Sequence, residues 1–322
     1  MNKSATQSQN KKFMKWYFLP VFLIGFLGIF IGCQDESTVQ TVTGTDHDAL
    51  VKLVDEDSAL VSFEPNYNEG EDPGLGKINT QVYPFKVGQK MRLISRTLNV
   101  EFVGDTAYGV LTKNFEGVLY IKGSYDSSAV ASDTLISKAF SATVKRNIVF
   151  IRIGNFENPE LNWRIAAISL PEGGTQSPNI DIVKLTAYLP GGDTLVINSP
   201  NEYYLVRHWG YWWRWHHIPV VQRNHDVTLR VELNSAYADT DFVTLTFGAD
   251  RINLIRTKKK FDLVSSNFNG QYYEKIYEQT YRPMQLTGFY HVIVNAMPKQ
   301  VVYDDATPVE EESWGVPYFV RP

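Results

Sequence analysis

The chain has 322 residues, of which 43% are hydrophobic, and a formal net charge of −4 at pH 7. The excess of acidic residues argues against a nucleic-acid partner, because proteins that bind the phosphate backbone present clusters of lysine and arginine. Cys33 is the only cysteine. A disulfide framework is therefore excluded, and the protein must fold on its own hydrophobic core.

The first 32 residues have the pattern of a secretory signal peptide. Four lysines and no acidic residue precede an almost uncharged apolar run from Trp16 to Gly32. A positive start, a short apolar stretch and small residues at its end are typical of such peptides. The alternative is an uncleaved membrane anchor, because the run is close to the lower limit of about 17 residues for a transmembrane helix.

The end of this run favours cleavage. Ile31-Gly32-Cys33 resembles the lipobox of bacterial lipoproteins, in which a signal peptidase cuts before a cysteine that becomes lipidated; Phe30 departs from the usual leucine. The resemblance implies a lipid-anchored protein of the bacterial cell envelope, with Cys33 as its anchored N-terminus at the periplasmic or surface face of the outer membrane. Without residues 1–32, 27 basic residues remain against 35 acidic ones, so the lipid alone would hold the protein at the membrane.

A short surface-export signal is also suggested by the residues that follow Cys33. Gln34-Asp35-Glu36 resembles the acidic export signal of Bacteroidota-type lipoproteins, although a solvated tether explains it equally well. The polar residues 33–45 are predicted to be that tether.

One helix is predicted after the tether, over residues 45–63. Thr45 or Asp46 can cap it, and an apolar face that includes Leu50 and Val54 recurs at helical spacing. Pro65 and the glycine-rich residues after it stop the helix.

From Val82 the pattern changes to alternating strands. Residues 92–102 and 106–112 predict a hairpin around Gly104-Asp105, and residues 117–121 continue it. Residues 140–144 and 148–153 predict a second pair of strands, and residues 163–170 close the series. One helix followed by antiparallel strands predicts an α+β domain over residues 46–172, with the helix on one face of the sheet.

Two stretches of this domain carry a resemblance. VEFVGDTAYGVLT and NWRIAAISL are similar to the hairpin and the closing strand of the cystatin-like cone fold, the nuclear-transport-factor-two-like superfamily. The resemblance implies a curved sheet with a helix across it and a pocket between them, and an enzyme in that pocket is one hypothesis. The family usually has two or three helices before its sheet, whereas this chain has one, so a β-sandwich preceded by a helix is the alternative.

A linker is predicted at residues 173–179, and an all-β immunoglobulin-like sandwich at residues 180–305. The predicted strands of the sandwich are residues 180–189, 194–197, 226–233, 242–247, 261–264, 272–281, 288–295 and 300–303. Residues 286–294 resemble a late strand of immunoglobulin-like domains, in which Tyr290 would tie down a corner. The tail 306–322 is expected to lie on a domain surface, because its aromatic residues are unlikely to remain solvated.

The sequence contains no motif of a nucleotide site, a catalytic zinc, a calcium loop or a serine hydrolase. His216 and His217 are adjacent, so on a strand they point to opposite faces and do not share one ion. The pairs Asp239 with Asp241 and Asp304 with Asp305 are interpreted as ordinary turn acids. We therefore expect no metal, no cofactor and no enzymatic activity.

The segment HWGYWWRWHH, residues 208–217, is the densest aromatic stretch. Its candidate ligand-binding residues are Trp209, Tyr211, Trp212, Trp213, Arg214 and Trp215. Three interpretations remain open: a connection packed over the sandwich, a platform for a glycan, or a patch that docks an envelope protein. The main hypothesis is a non-enzymatic cell-envelope lipoprotein with a binding or assembly role.

Overall fold

The computed structural model describes residues 44–57, 81–207, 215–249, 257–283 and 286–322. They all belong to one compact unit. These residues contain two α-helices, α1 (Gly44–Glu56) and α2 (Lys299–Tyr303). Neither helix in the described ranges has the length and the apolar character needed to cross a membrane.

Strands make up most of the described chain. In chain order they are β1 (Tyr83–Val103), β2 (Thr106–Ser124), β3 (Thr134–Arg152), β4 (Trp163–Ser169), β5 (Glu172–Gly174), β6 (Ile180–Tyr188), β7 (Thr194–Ile197), β8 (Tyr204–Arg207), β9 (Trp215–His216), β10 (Val220–Gln222), β11 (Val227–Ser235), β12 (Phe242–Ala249), β13 (Thr257–Lys260), β14 (Asp262–Phe268), β15 (Tyr273–Tyr281), β16 (Gly288–Met297) and β17 (Glu312–Arg321).

The strands form two sheets. The larger has twelve strands and contains the path β13-β12-β16-β17-β5-β3-β4-β8-β9, with β2 beside β3, β1 beside β2, and β10 beside β17. The smaller has the order β14-β15-β11-β6-β7. The pairing of β10 with β17 is parallel and the other strand pairs are antiparallel. The β-rich, antiparallel architecture expected from the sequence is confirmed.

The strands β1, β2 and β3 are unusually long. The predicted hairpin is confirmed, with its turn at Gly104, whose φ of 59° favours glycine. The pair of strands predicted within residues 140–153 is wrong, because β3 runs through that stretch unbroken. The polar residues Lys145, Arg146 and Asn147, between the two predicted strands, keep the alternation of a strand: Arg146 is buried and its two neighbours lie on the opposite face.

Helix α1 is tied to the larger sheet by one of its acidic residues. The two carboxylate oxygens of Asp46 accept hydrogen bonds from Arg152 Nη2 at 3.0 Å and from Trp163 Nε1 at 3.2 Å. The Arg152 guanidinium also lies 4.8 Å from the centre of the Trp163 ring. Asp46 therefore holds the helix on the sheet, where the sequence had suggested a helix cap. The helix ends at Glu56, and positions 58–63 of the predicted helix lie outside the described residues.

Two stretches that were predicted to lie outside any sheet form strands of the larger sheet. β5 falls at the start of the predicted linker and pairs with β3 on one side and β17 on the other. β17 comes from the predicted tail and lies between β16 and β5. Its Trp314 and Tyr318 are each 2% exposed, so these aromatic rings are in the core. Strands from both predicted domains therefore share one sheet.

The predicted strand at residues 300–303 is wrong, because these residues belong to α2. Val301 and Val302 are adjacent and both are fully buried. On a strand with one buried face, consecutive side chains point to opposite sides, whereas a helix that begins after Pro298 packs both against the core around Phe115 and Met297.

The core of the second half lies between the two sheets. Trp314 and Val316 of β17, with Val292 of β16, pack in one cluster with Leu185 of β6 and Leu229 of β11. This layered packing explains the clean alternation of β11, whose odd-numbered residues are all buried.

Candidate functional site

The aromatic positions predicted as a ligand site lie mostly outside the described residues. Those positions are Trp209, Tyr211, Trp212, Trp213 and Arg214; Cys33 also lies outside. Trp215 belongs to β9, where its backbone pairs with Arg207 of β8. The segment 208–214 therefore connects two antiparallel strands at the edge of the larger sheet.

The acidic residues interpreted as turn acids have different roles. Asp239 accepts a hydrogen bond from Lys299, and Asp304 accepts one from Thr307. Asp241 corrects the prediction, because it is fully buried and its carboxylate lies 2.8 Å from Lys275 Nζ. Within the described ranges, no group of three or more His, Cys, Asp or Glu residues could hold a metal ion.

A cleft of about 570 Å³ lies over β5, between β3 and β17, and we call it the central cleft. Its lining residues are Thr143, Lys145, Glu172, Gly173, Gly174, Gln176, Ser177, Pro178, Ile180, Asp181, Asn201, Glu311 and Glu312.

The strand register places two rows of residues on the floor of the central cleft. In the first row Lys145 of β3 lies opposite Glu172 of β5. In the second row Gly174 of β5 lies between Thr143 and Glu312. Residues opposite one another in antiparallel strands share a face, so both rows point to the same side of the sheet.

Gly174 allows β5 to approach the start of β17 closely at this floor. Its φ is 149°, and a Cβ atom at this position would overlap the carbonyl oxygen of Glu311. That carbonyl is held in place, because it accepts the Thr175 N–H at 3.0 Å, while Thr175 Oγ1 accepts the Glu311 N–H at 2.9 Å. Only glycine fits here, because the backbone of Glu311 and Glu312 fills the space that a side chain would need.

The wall formed by residues 176–181 is fixed by hydrogen bonds to Glu310. Its carboxylate accepts a hydrogen bond from Ser177 Oγ at 2.7 Å and one from Asn179 Nδ2 at 2.9 Å. The segment predicted as a flexible linker is therefore held against the residues that lead into β17, and the cleft has a preformed shape.

Glu312 lies on the floor of the central cleft. It accepts the Ile182 N–H at 2.6 Å and the Trp314 Nε1–H at 2.8 Å. Its pKa is raised to about 8, mainly by burial and further by the neighbouring carboxylates of Asp181 and Glu172; the two hydrogen bonds act in the opposite direction. The site therefore disfavours negative charge at this position.

Glu172 is a second half-buried acid in the same cleft. It accepts a hydrogen bond from Asn201 Nδ2 at 2.8 Å. Burial raises its pKa and the carboxylate of Asp181 raises it further, whereas Asn201 and Lys145 oppose the shift. A cleft that combines convergent polar groups with shifted carboxyl groups is the expected form of a ligand site.

Three of the four acidic residues that line this cleft form no ion pair with another described residue. Among the described residues, no lysine, arginine or histidine lies within salt-bridge distance of Glu172, Asp181 or Glu312. A second depression of about 550 Å³, over β1 to β3, differs in this respect, because its Arg92 and Glu116 pair at 3.0 Å.

Sequence reasoning missed the central cleft because its acids are far apart in the chain. Glu172 stood in the predicted linker and Glu312 in the predicted tail. One signal was available: Trp314, Val316 and Tyr318 alternate with Ser313, Gly315 and Pro317, which is the period of a strand. A strand predicted from this pattern would have placed Glu312 at the beginning of a strand within a sheet.

Comparison with known proteins returned no match, either to a protein-family model or to a curated protein sequence. The function is therefore argued from the residues and their geometry.

Proposed function

We propose that this chain is a lipid-anchored protein of the bacterial cell envelope that binds a ligand in the central cleft and catalyses no reaction. The anchor is proposed from Cys33 and the signal-peptide pattern before it. The binding role is supported by one observation above all: a cleft of about 570 Å³ on whose lining Glu172, Asp181 and Glu312 form no salt bridge with another described residue. Its volume lies within the usual range of small-molecule sites.

The rigid surroundings of the cleft favour binding. Its floor consists of three hydrogen-bonded strands, and its wall is held by Glu310, so little conformational freedom is lost when a ligand binds. A stable membrane anchor requires more than one acyl chain, since a single chain binds reversibly. A diacylglyceryl group at Cys33 would meet that requirement.

The finer fold assignments also belong to the proposal. A helix that lies across the larger sheet supports the cone-like interpretation of the first half. For the second half, the hydroxyl group of Tyr290 donates to the Leu286 carbonyl at 3.0 Å, which is the kind of contact expected of the corner tyrosine in immunoglobulin-like domains.

The anchor is tested by cell fractionation of the wild type and a Cys33→Ser variant, after growth with labelled palmitate. We expect the wild type in the membrane fraction with label, and the variant without label. A Cys33→Ser protein that still incorporates palmitate at the same level would refute the proposed anchor.

Glycan binding by the aromatic segment 208–217 is the second candidate. It is favoured by the density of tryptophan residues in this segment of the sequence. A glycan array with the wild type and a Trp212→Ala/Trp213→Ala variant tests it. The candidate requires at least one sugar whose signal is lost in the variant, and equal signals for both proteins would eliminate it.

A further inference from the structure

We propose that the protein rests on the membrane surface through the loop of residues 153–162, whose exposed Phe156 and Leu161 enter the lipid interface. We call this segment, which joins β3 to β4, the contact loop. The inference rests on the proposed lipid anchor at Cys33 and adds a second contact between the protein and the membrane.

The contact loop lies where the chain arrives from Cys33. Eleven residues lead from Cys33 to Gly44, the first residue of α1, and they span at most about 40 Å when fully extended. Asp46 of α1 is hydrogen-bonded to Arg152 and Trp163, the residues on either side of the contact loop. A bilayer that holds the lipid of Cys33 is therefore within reach of this end of β3 and β4.

The opposite end of the long strands is farther away. β2 and β3 have 19 residues each, which corresponds to about 60 Å of strand, and they are joined at that end by the loop of residues 125–133. This length exceeds the reach of the eleven-residue tether. The anchor therefore keeps the end with the contact loop near the bilayer.

Apolar side chains are exposed at the end near the anchor. Phe156 and Leu161 are 58% and 55% exposed, and Val103, at the end of β1, is 56% exposed. The contact loop adjoins the hairpin turn after Val103, because the Arg152 N–H donates to the Asp105 carbonyl at 2.8 Å. In a protein that is held at a bilayer, exposed side chains of this size gain free energy when they move from water into the lipid interface.

The contact loop holds these side chains in a fixed conformation. The buried side chain of Asn162 accepts the Phe156 N–H at 2.5 Å and donates to the Phe156 carbonyl at 2.9 Å. Asn158 accepts the Glu160 N–H at 3.1 Å and so caps the short turn Pro159–Leu161. A preformed loop loses little conformational freedom when it enters lipid.

The charges of the contact loop indicate an apolar contact. The loop contains Glu157 and Glu160 and no basic residue. Attraction to anionic lipid depends on clustered lysine and arginine residues, so it does not contribute here. We therefore expect the contact to form on neutral phosphatidylcholine vesicles and to be insensitive to salt.

An introduced cysteine makes this contact measurable, because Cys33 is the only cysteine and its thiol carries the lipid in the proposed mature protein. Asn155→Cys, at an exposed position of the contact loop, is labelled with a nitrobenzoxadiazole dye in the full-length lipidated protein and reconstituted into phosphatidylcholine vesicles. The reference is the same dye on Val130→Cys, a 97% exposed position in the loop 125–133. We expect the dye at Asn155→Cys to emit at shorter wavelength and about twofold more strongly or better.

Two double variants of the Asn155→Cys protein test which side chains make the contact. Phe156→Ser/Leu161→Ser should return the emission to the reference value. The matched control is Val264→Ser/Phe268→Ser, which removes one aliphatic and one aromatic side chain from exposed positions of β14 and should leave the emission unchanged.

The mass of the labelled protein separates failure of the contact from failure of the anchor. Equal emission at Asn155→Cys and Val130→Cys, in a protein whose Cys33 is lipidated, would overturn the loop contact and leave the anchor intact. A shifted emission that persists in the double serine variant of the contact loop would also overturn it. A chain without acyl mass on Cys33 would overturn the anchor and the loop contact with it.

Discussion

The most deeply buried ion pair of the described chain joins Lys275 to Asp241. Both side chains are fully buried, and their charged atoms lie 2.8 Å apart. Asp241 also accepts hydrogen bonds from Ser235 Oγ at 3.0 Å and from the Tyr277 hydroxyl group at 3.3 Å. Burial raises the pKa of Asp241, and Lys275, Ser235 and Tyr277 counteract that shift. A buried charge is tolerated here because it is paired and hydrogen-bonded.

Removal of one partner of this pair should destabilise the protein strongly. We expect Asp241→Asn to lower the free energy of unfolding by about 3–5 kcal/mol, because Lys275 is left buried without a counter-charge. Urea denaturation followed by tryptophan fluorescence measures this difference. The matched control is Asp262→Asn, an exposed position of β14, for which the change should stay within about 0.5 kcal/mol. A loss below about 1 kcal/mol for Asp241→Asn would contradict this account of the pair.

Glu312 gives the ligand-free protein a pH dependence of stability. Its pKa rises from 4.5, the ordinary value, to about 8 in the folded protein. Between these two values the unfolded chain releases a proton that the folded protein keeps, so the free energy of unfolding falls as the pH rises from about 5 to about 8. Below that window both states are protonated at this group, and above it both are ionised.

The variant Glu312→Gln should remove that contribution. Between pH 5 and pH 8 the free energy of unfolding should fall in both proteins. We expect the fall in the variant to be smaller than the fall in the wild type by about 2 kcal/mol or more. Urea denaturation at closely spaced pH values gives both slopes, with Glu101→Gln as a control that keeps the wild-type slope. Parallel profiles for the wild type and Glu312→Gln would show that this carboxyl group titrates normally.

Strand β5 is only three residues long, and it depends on its glycines. Gly173 approaches Thr143 and Val144 of β3 closely, and Gly174 approaches Glu311. Side chains at these positions would push β3 and β17 apart. The short strand therefore joins the two neighbouring strands through close backbone contacts at the floor of the central cleft.

A methyl group at Gly174 should open this junction. We expect Gly174→Ala to lower the free energy of unfolding by more than about 1 kcal/mol, because its backbone has a positive φ and Glu311 must move. Gly88→Ala is the control: Gly88 of β1 has no atom within 4 Å of the added Cβ and no positive φ, so this change should be neutral or slightly stabilising. Thermal unfolding measures both, and equal melting temperatures for the two variants would refute the role given to Gly174.

Local sequence signals predicted the elements that depend on local chemistry. The hairpin at Gly104 carries a turn dipeptide between alternating strands, and α1 has a helical apolar face, so both were predictable. The unbroken β3 and the helix α2 were not, because Arg146 is buried by long-range packing and Val301 and Val302 are fixed by a core that the local sequence does not show.

At the scale of the whole molecule, the larger sheet connects strands that are far apart in the chain. Glu312 pairs with Gly174 and Gln81 forms a bridge with Asp304, so the end of the chain closes onto both earlier parts. Strand pairing between residues so far apart in the chain leaves no local sequence signal. The sequence therefore predicted a β-rich protein but not the order of the strands in its larger sheet. The same long-range pairing assembles the central cleft, which explains why its acids escaped the sequence analysis.

The central claim is that a lipid at Cys33 tethers this β-rich protein outside the cytoplasm. The most direct test is intact-mass spectrometry of the protein purified from membranes. We expect a mature chain that begins at Cys33 and carries a diacylglyceryl group, with or without a further acyl chain. A chain that retains Met1, or one with a free thiol at Cys33, would contradict the account.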